Sequence, residues 1–243
     1  MSSQLEGKNV VVTGGFGILG RAVGALLIER GARVILLDRS PVPADMAVIA
    51  KNPNLMLMGE VDLSDAAAAI VAFNNIAGQL RGMQGSHCIN ALVNVAGGFS
   101  WETVEAGSID TWDRLYAMNL RTAVVSVQAA LPHLFLAHHG ARIVNTGALA
   151  SLKAGLGMGA YAASKAGVAR FTESLAEELK DRGVTVNAVL PSIIDTPANR
   201  ADMPDADASR WVTPQALAAV IAFLLSDDAA PITGACLPVG GRV

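Results

Sequence analysis

The sequence is short of most features that would commit it to an unusual architecture. Its two cysteines, Cys88 and Cys236, lie far apart and outside any Cys-x-x-Cys pattern. Neither a disulfide framework nor a thiolate metal site is therefore expected, and both read as buried thiols. Charge of one sign is also missing. The 18 Lys and Arg face 21 Asp and Glu, a net charge of −3, which is neither the basic excess of a nucleic-acid binder nor the charge-rich pattern of a disordered chain. No apolar run approaches the roughly 18 residues that span a bilayer, and the opening MSSQLEGKNV has no apolar signal-peptide core. A soluble cytoplasmic protein acting on small molecules is expected, without membrane or nucleic-acid partners. Aromatic residues make up only 5%, with two tyrosines, Tyr116 and Tyr161. Any phenol chemistry must fall to one of these two.

What the chain does have is aliphatic bulk. Hydrophobic residues reach 52%, carried by Ala, Val, Leu and Ile, whose short side chains suit a parallel sheet covered on both faces. Strand-like runs at 8–14, 32–38, 55–62, 88–97, 141–147, 184–191 and 235–239 alternate with helix-like segments at 18–30, 65–80, 109–118, 120–137, 161–181 and 213–225. Ser64 and Asp65 supply cap chemistry for the second helix, while Gly31 and Gly183 suit helix ends. This alternation predicts one α/β domain over 1–243, with a doubly wound, mostly parallel seven-stranded sheet and helices on both faces. An irregular stretch at about 191–211 follows the sixth strand, at the sheet edge where such folds bind ligands, and reads as a substrate lid.

After the first strand the chain reads Gly14-Gly15-Phe16-Gly17-Ile18-Leu19-Gly20, which contains G-x-G-x-x-G at Gly15, Gly17 and Gly20. Glycines allow the tight turn, the approach of backbone to a pyrophosphate, and the packing of helix on strand. The N-terminus of the following helix offers free N–H groups and partial positive charge to phosphates. Asp38 ends the second strand, eighteen residues beyond Gly20, where a carboxylate binds ribose hydroxyls and repels a 2′-phosphate. NAD(H) is thus favoured over NADP(H), although the adjacent Arg39 is a possible phosphate partner. Asp62, ending the third strand, reads equally as an adenine contact or a helix cap.

Tyr161 and Lys165 are four residues apart near the start of a long helix, so they share a face. An ammonium beside a phenol stabilises the phenolate and lowers its pKa toward the range of a general acid. These features, with Asn94-Val95-Ala96-Gly97, Asn119, Tyr161-Ala162-Ala163-Ser164-Lys165 and the tail ITGACLPVGG, resemble the short-chain dehydrogenase/reductase family over nearly the whole chain. The resemblance implies a Rossmann-like fold and NAD(P)-dependent oxidoreductase activity. It implies Tyr161 as proton donor, Lys165 as the residue that binds the nicotinamide ribose and tunes Tyr161, and Asn119 as holder of a relay water. It further implies cofactor contacts from the 14–20 turn, Asp38, Arg39, Asp62, Leu63, Asn94, Ala96, Gly97, Tyr161, Lys165, Pro191, Ile194 and Thr196, and a homodimer or homotetramer paired through the helices at 120–137 and 161–181.

Two departures from the family pattern narrow the substrate. Where most members carry a catalytic serine thirteen residues before the tyrosine, this chain has Ala148, with Thr146 and Ser151 as remote substitutes; Ile18 also replaces a glycine common in the turn. Both departures, the Val95–Phe99 segment, Gly147-Ala148 and the DTPANRADMPDADASRW lid resemble the quinonoid dihydropteridine reductase branch. An electron-poor quinonoid dihydropterin needs less polarisation than a ketone and tolerates the missing hydroxyl. A ketone or alcohol enzyme, including one for 3-oxoacyl substrates, and a non-catalytic dinucleotide-binding protein are the alternatives.

Other candidates read more plainly. Adjacent helical histidines, His138 and His139, point about 100° apart and suit a helix C-terminus better than a metal. Asp195, Asp202, Asp205 and Asp207 read as a solvated lid rather than a metal cluster. Phe99 and Trp211 form either a wall over a flat substrate or ordinary packing, and Asn199 and Arg200 are possible substrate contacts.

Overall fold

A computed structural model describes residues 5–49, 51–83, 87–137 and 140–243; His138 and His139 lie outside them. Seven strands form one sheet: β1 (Asn9–Thr13), β2 (Arg33–Leu37), β3 (Leu55–Met58), β4 (Ala91–Asn94), β5 (Ala141–Thr146), β6 (Val184–Pro191) and β7 (Cys236–Val239). Their order is β3-β2-β1-β4-β5-β6-β7, with every pairing parallel. The chain winds outward from β1 to β3, then returns to place β4 on the other side of β1. That reversal opens a crevice beyond the carboxyl ends of β1 and β4.

The period-2 alternation of strands sorts side chains onto two faces. Val10 and Val12 of β1 pack with Leu19, Val23 and Leu27 of α1 (Ile18–Glu29) and with Leu217, Ile221 and Leu224 of α8 (Pro214–Leu225). Val11 points the other way, joining Phe73, Ile76 and Leu80 of α3 (Ala66–Arg81), Val127 and Leu134 of α5 (Thr122–Leu134), and Leu175 and Leu179 of α6 (Gly159–Leu179). Helices therefore cover both faces, as the aliphatic composition requires.

Several boundaries differ from the sequence reading, each for a local reason. The third and fourth strands stop early, because residues past Met58 and Asn94 leave the sheet to line the crevice. The two helices expected at 109–118 and 120–137 are one continuous helical path: α4 (Ile109–Leu115), a π-helical turn over Tyr116–Arg121, then α5. Such wide turns recur at functional sites, and this one carries the buried Asn119. The 161–181 helix starts earlier, at Gly159, and ends in a 3-10 turn before Gly183, whose φ of 68° suits glycine. Two short helices, α2 (Ala44–Ile49) and α7 (Pro197–Asp202), had no periodic signal. Cys88 and Cys236 form no disulfide and are only half-buried, a correction to the buried-thiol expectation.

Buried polar side chains tie the crossing point together. Ala96 N–H donates to Thr13 Oγ1 at 3.2 Å and Thr13 Oγ1 donates to Asn94 Oδ1 at 3.4 Å. Asn94 Nδ2 donates to Asn145 Oδ1, and Asn145 Nδ2 to Thr172 Oγ1, each at 2.9 Å. Because an unpaired buried amide is costly, this chain fixes β1, β4, β5 and α6 in one register.

Candidate active site

The turn between β1 and α1 is built largely by glycine. Gly14 has φ +63°, and a Cβ there would stand 2.8 Å from the Ala96 backbone. A Cβ on Gly15 would press on Leu36 at 2.6 Å, and one on Gly20 would collide with the Gly14 carbonyl. Gly17 differs. A Cβ there would meet only Gly14 O, at 3.4 Å, so the protein itself has room for a side chain. Gly17 is also the N-cap of α1, with no side-chain cap bond and no acidic residue in the first turn. An exposed helix N-terminus kept bare of side chains fits a bound phosphate. Residues present therefore fit a dinucleotide: the first helical turn for its pyrophosphate and the β2 end for its adenosine.

That adenosine end is a cleft of about 370 Å³. Gly14, Asp38, Arg39, Asp62, Leu63, Ala96 and Gly97 line it, together with Arg114 and Met118 from the α4 side. Asp38 accepts from Phe16 N–H at 3.1 Å and Ser40 N–H at 3.0 Å, which pins its carboxylate at the cleft. Asp62 accepts from both the N–H and the hydroxyl of Ser64, at 2.8 and 2.7 Å. Those Ser64 bonds hold its carboxyl below the usual range. Asp65 is the cap of α3, accepting from Ala67 and Ala68 N–H, so Asp62 is left on the cleft wall. Asn94 is 3% exposed, with its side-chain amide spent on Thr13 and Asn145, so any contact it makes with a cofactor falls to its backbone.

Gly97 joins this cleft to the second half of the site. A Cβ on it would lie 2.6 Å from Asn119 Oδ1 and 3.2 Å from Lys165 Nζ, so only a glycine lets the β4 loop pass so close. Asn119 Oδ1 accepts from Gly98 N–H at 2.8 Å, and its Nδ2 donates to Gly98 O at 3.1 Å and Ser164 Oγ at 2.9 Å. Ser164 in turn donates to the Tyr161 carbonyl at 2.7 Å. One amide thus locks the β4 loop to the first turns of α6. Lys165 is 5% exposed and donates to the Thr146 carbonyl at 2.8 Å. The Phe99 ring meets Tyr161 edge to face, 4.9 Å between centroids at 80°.

Burial governs both ionisable groups. It pushes the Tyr161 phenol up to about 12 and the Lys165 ammonium down to about 8. The expected lowering of the Tyr161 pKa by Lys165 is therefore corrected: desolvation favours the neutral form of each. Ala148 is 4% exposed and presents no donor. The hydroxyl oxygens of Thr146 and Ser151 are enclosed and unpartnered, so neither offers a donor to the open cleft in its place.

Pro191 ends β6, and the segment beyond it is held by its own bonds. Ile194 bridges Val212, Thr196 caps α7 by accepting from Asn199 N–H at 3.2 Å, and the Thr196 hydroxyl proton stays available to a ligand. Asn199 Nδ2 donates to Ile194 O at 2.7 Å, and Arg200 forks onto Asp195. Asp207 caps the 3-10 turn over Ala208–Arg210. The polar residues considered as substrate contacts are thus spent on folding the segment. Trp211 is 7% exposed and packs inside, which separates it from Phe99, 54% exposed beside Tyr161. Ser164 and Gly98 entered the sequence reading only as members of motifs, without a role, and Trp101 did not enter it. The aromatic cluster Phe99-Ser100-Trp101, straight after a glycine pair at a strand end, was the signal available for the last.

Residues 8–207 match the family model described as short chain dehydrogenase. Over 247 residues, 98% of this chain and 97% of the relative, the sequence is 32% identical to a 3-oxoacyl-acyl-carrier-protein reductase of Vibrio harveyi. It is 31% identical over 252 residues, 99% of this chain and 98% of the relative, to a 2,5-dichloro-2,5-cyclohexadiene-1,4-diol dehydrogenase of Sphingobium indicum. Among solved structures it is similar to carveol dehydrogenase from Mycobacterium avium in complex with NAD, with a TM-score of 0.85, 25% identity and 98% of each chain covered.

Proposed function

The chain belongs to the short-chain dehydrogenase family, and from that premise we propose that it interconverts an uncharged ketone and its secondary alcohol, with NAD(H) preferred to NADP(H). Membership makes it an NAD(P)-dependent oxidoreductase acting on a small molecule, and the non-catalytic alternative gives way. The observation that carries the reading is the network joining Gly97, Gly98, Asn119, Ser164, Tyr161 and Lys165 at the edge of a dinucleotide-shaped cleft.

Bound at the cleft, the nicotinamide cofactor supplies the hydride in reduction and takes it up in oxidation. The protein's residues handle the proton and the geometry. Tyr161 donates its phenolic proton to the substrate oxygen as the carbonyl carbon gains hydride, so carbonyl, hydride and proton together give the alcohol. Lys165, one turn along the same helix, would supply positive charge to the phenolate left by that transfer, an effect opposed by the desolvation that holds the resting phenol neutral. Both Nδ2 hydrogens of Asn119 are used by Gly98 and Ser164 and its Oδ1 accepts from Gly98 N–H, so it would hold a relay water through a carbonyl oxygen. Asp38 at the ribose end supports the NAD(H) preference by repelling a 2′-phosphate.

A second reading rests on Ala148. Without a donor there, a substrate that regains conjugation on reduction, such as quinonoid dihydropterin, is easier to reduce than a plain ketone. The relatives above act, by name, on 3-oxoacyl and cyclohexadienediol substrates, which supports the ketone–alcohol reading first. NADH oxidation with a ketone panel, beside freshly generated quinonoid dihydropterin, tests both: turnover confined to the pterin reverses their order, and none with either defeats both.

The remaining expectations complete the proposal. Residues 191–211 act as a lid on a single domain, and copies pair through α5 and α6 as a dimer or tetramer, which light scattering would read. No helix among the described residues is long and apolar enough to cross a membrane, and a cytoplasmic location is proposed.

A further inference from the structure

We propose that Phe99 and Trp101, extended by Leu152 and Leu156, form a preformed apolar wall that selects an uncharged substrate whose reacting carbonyl lies in a ring. The proposal rests on the ketone–alcohol reading and names the substrate class for that site. Four large apolar side chains stand open to solvent on the loop after β4 and the segment before α6: Phe99 at 54%, Trp101 at 57%, Leu152 at 60% and Leu156 at 82%. Exposed apolar surface of this kind, next to convergent polar groups, marks a ligand site. Phe99 stands directly against the reacting phenol, so a substrate oxygen bonded to Tyr161 brings its neighbouring atoms onto the Phe99 ring.

The wall is fixed in advance. Trp101 Nε1 donates to Leu156 O at 2.8 Å, and Glu102 N–H donates to Gly157 O at 2.8 Å, which straps the loop after β4 to the loop before α6. The indole lies against Gly157, where a Cβ would collide with it, at a glycine whose φ is +70°. Gly98, just before Phe99, has both backbone groups held by Asn119. A rigid wall spares binding the cost of ordering loops. Rigid flat surfaces also reward a rigid partner, since a ring loses no rotamers on contact whereas an open chain does.

Charge does not narrow the class further. Exposed Glu105, Asp110 and Asp113 sit along the segment that follows Trp101, against exposed Arg114, which donates to Ser100 Oγ. With exposed Lys153 between Leu152 and Leu156, charges of both signs flank the wall, so apolar contact rather than net charge sets the class. Ala148 adds an apolar side chain where a hydroxyl would have favoured a polar substrate.

The test compares 2-tetralone with decan-2-one, ketones of equal carbon number, in the NADH-loaded enzyme. Wild type should favour the ring ketone in kcat/KM by roughly tenfold, the scale of one good aromatic contact. Trp101→Ala should remove most of that preference through KM, and Trp101→Phe, which keeps a flat ring, should restore it. As a readout independent of turnover, 2-tetralone, which cannot react with the oxidised cofactor, should quench tryptophan emission of the NAD-loaded wild type, and Trp101→Phe should abolish that quenching. Equal kcat/KM for the two ketones, unmoved by Trp101→Ala, overturns the wall and leaves the reductase reading standing. Absence of turnover with any carbonyl defeats the reductase reading instead, and the wall then stands or falls on the quenching.

Discussion

The β1–α1 turn and the loops around Tyr161 close the same edge of the same sheet, yet different forces hold them. Gly14, Gly15 and Gly20 pack backbone against backbone so tightly that a single methyl group collides. Around Tyr161 the contacts are side-chain bonds instead: an asparagine amide, a serine hydroxyl, an indole N–H and an aromatic edge. At these three glycines the first region tolerates almost no variation, which suits the cofactor role proposed for it. The second can be rebuilt by changing a few side chains, which suits the substrate-selecting role proposed for it.

The largest expected effect falls on the second region. Tyr161→Phe should lower turnover by about 100- to 10,000-fold, the usual worth of a general acid, while NADH affinity by fluorescence titration stays within about twofold. A comparable fall in NADH affinity would merge the two regions and contradict the division. Next comes Ala148→Ser, which restores a donor. Turnover of plain ketones should rise about tenfold, less than the roughly 100-fold such donors supply in sites built around them. A fall would mean the pocket uses the methyl group.

Within the turn, two glycines should part company. Gly20→Ala drives a methyl group into the Gly14 carbonyl and should destabilise the fold by about 1–3 kcal/mol in urea melts. Gly17→Ala should leave the melt unchanged and weaken NADH binding about tenfold, because its space belongs to the cofactor. Equal loss of stability in both would refute that distinction.

The smallest effect is one of pH. Burial lowers the folded pKa of Lys165 to about 8, from 10.5, so the unfolded chain holds the extra proton between those values. Stability therefore carries the full cost of the buried ammonium below about pH 8 and recovers it as pH rises toward 10.5. Tyr161, raised from 10.0 to about 12, acts in the opposite sense only above pH 10. Lys165→Met should thus be more stable than wild type near pH 7, by an advantage that shrinks toward pH 10. A constant difference across urea melts at these pH values would show that burial is not what shifts Lys165.

This division also explains what the sequence made legible. The sheet followed from aliphatic runs at strand length, and the turn from glycine spacing, because both are steric demands on the backbone that residue types alone express. Tyr161 and Lys165 were legible as a helical pair. Asn94 shows the limit, because an asparagine at a strand end reads the same whether its side chain faces a cofactor or, as here, joins a buried chain from Thr13 to Thr172. Trp211 and Trp101 were indistinguishable in kind, and only the strap from Trp101 to Leu156 shows which one faces the site. The lowering expected for the Tyr161 phenol failed for a similar reason, since burial cannot be read from a four-residue spacing.

The central claim is that a site with alanine at 148 is still a working carbonyl reductase driven by one phenol. Its most direct measurement is the consumption of NADH on mixing the enzyme with 2-tetralone, with the product alcohol quantified by mass spectrometry. One alcohol formed per NADH oxidised is the expected result; NADH that binds tightly and is never oxidised by any ketone would contradict the claim.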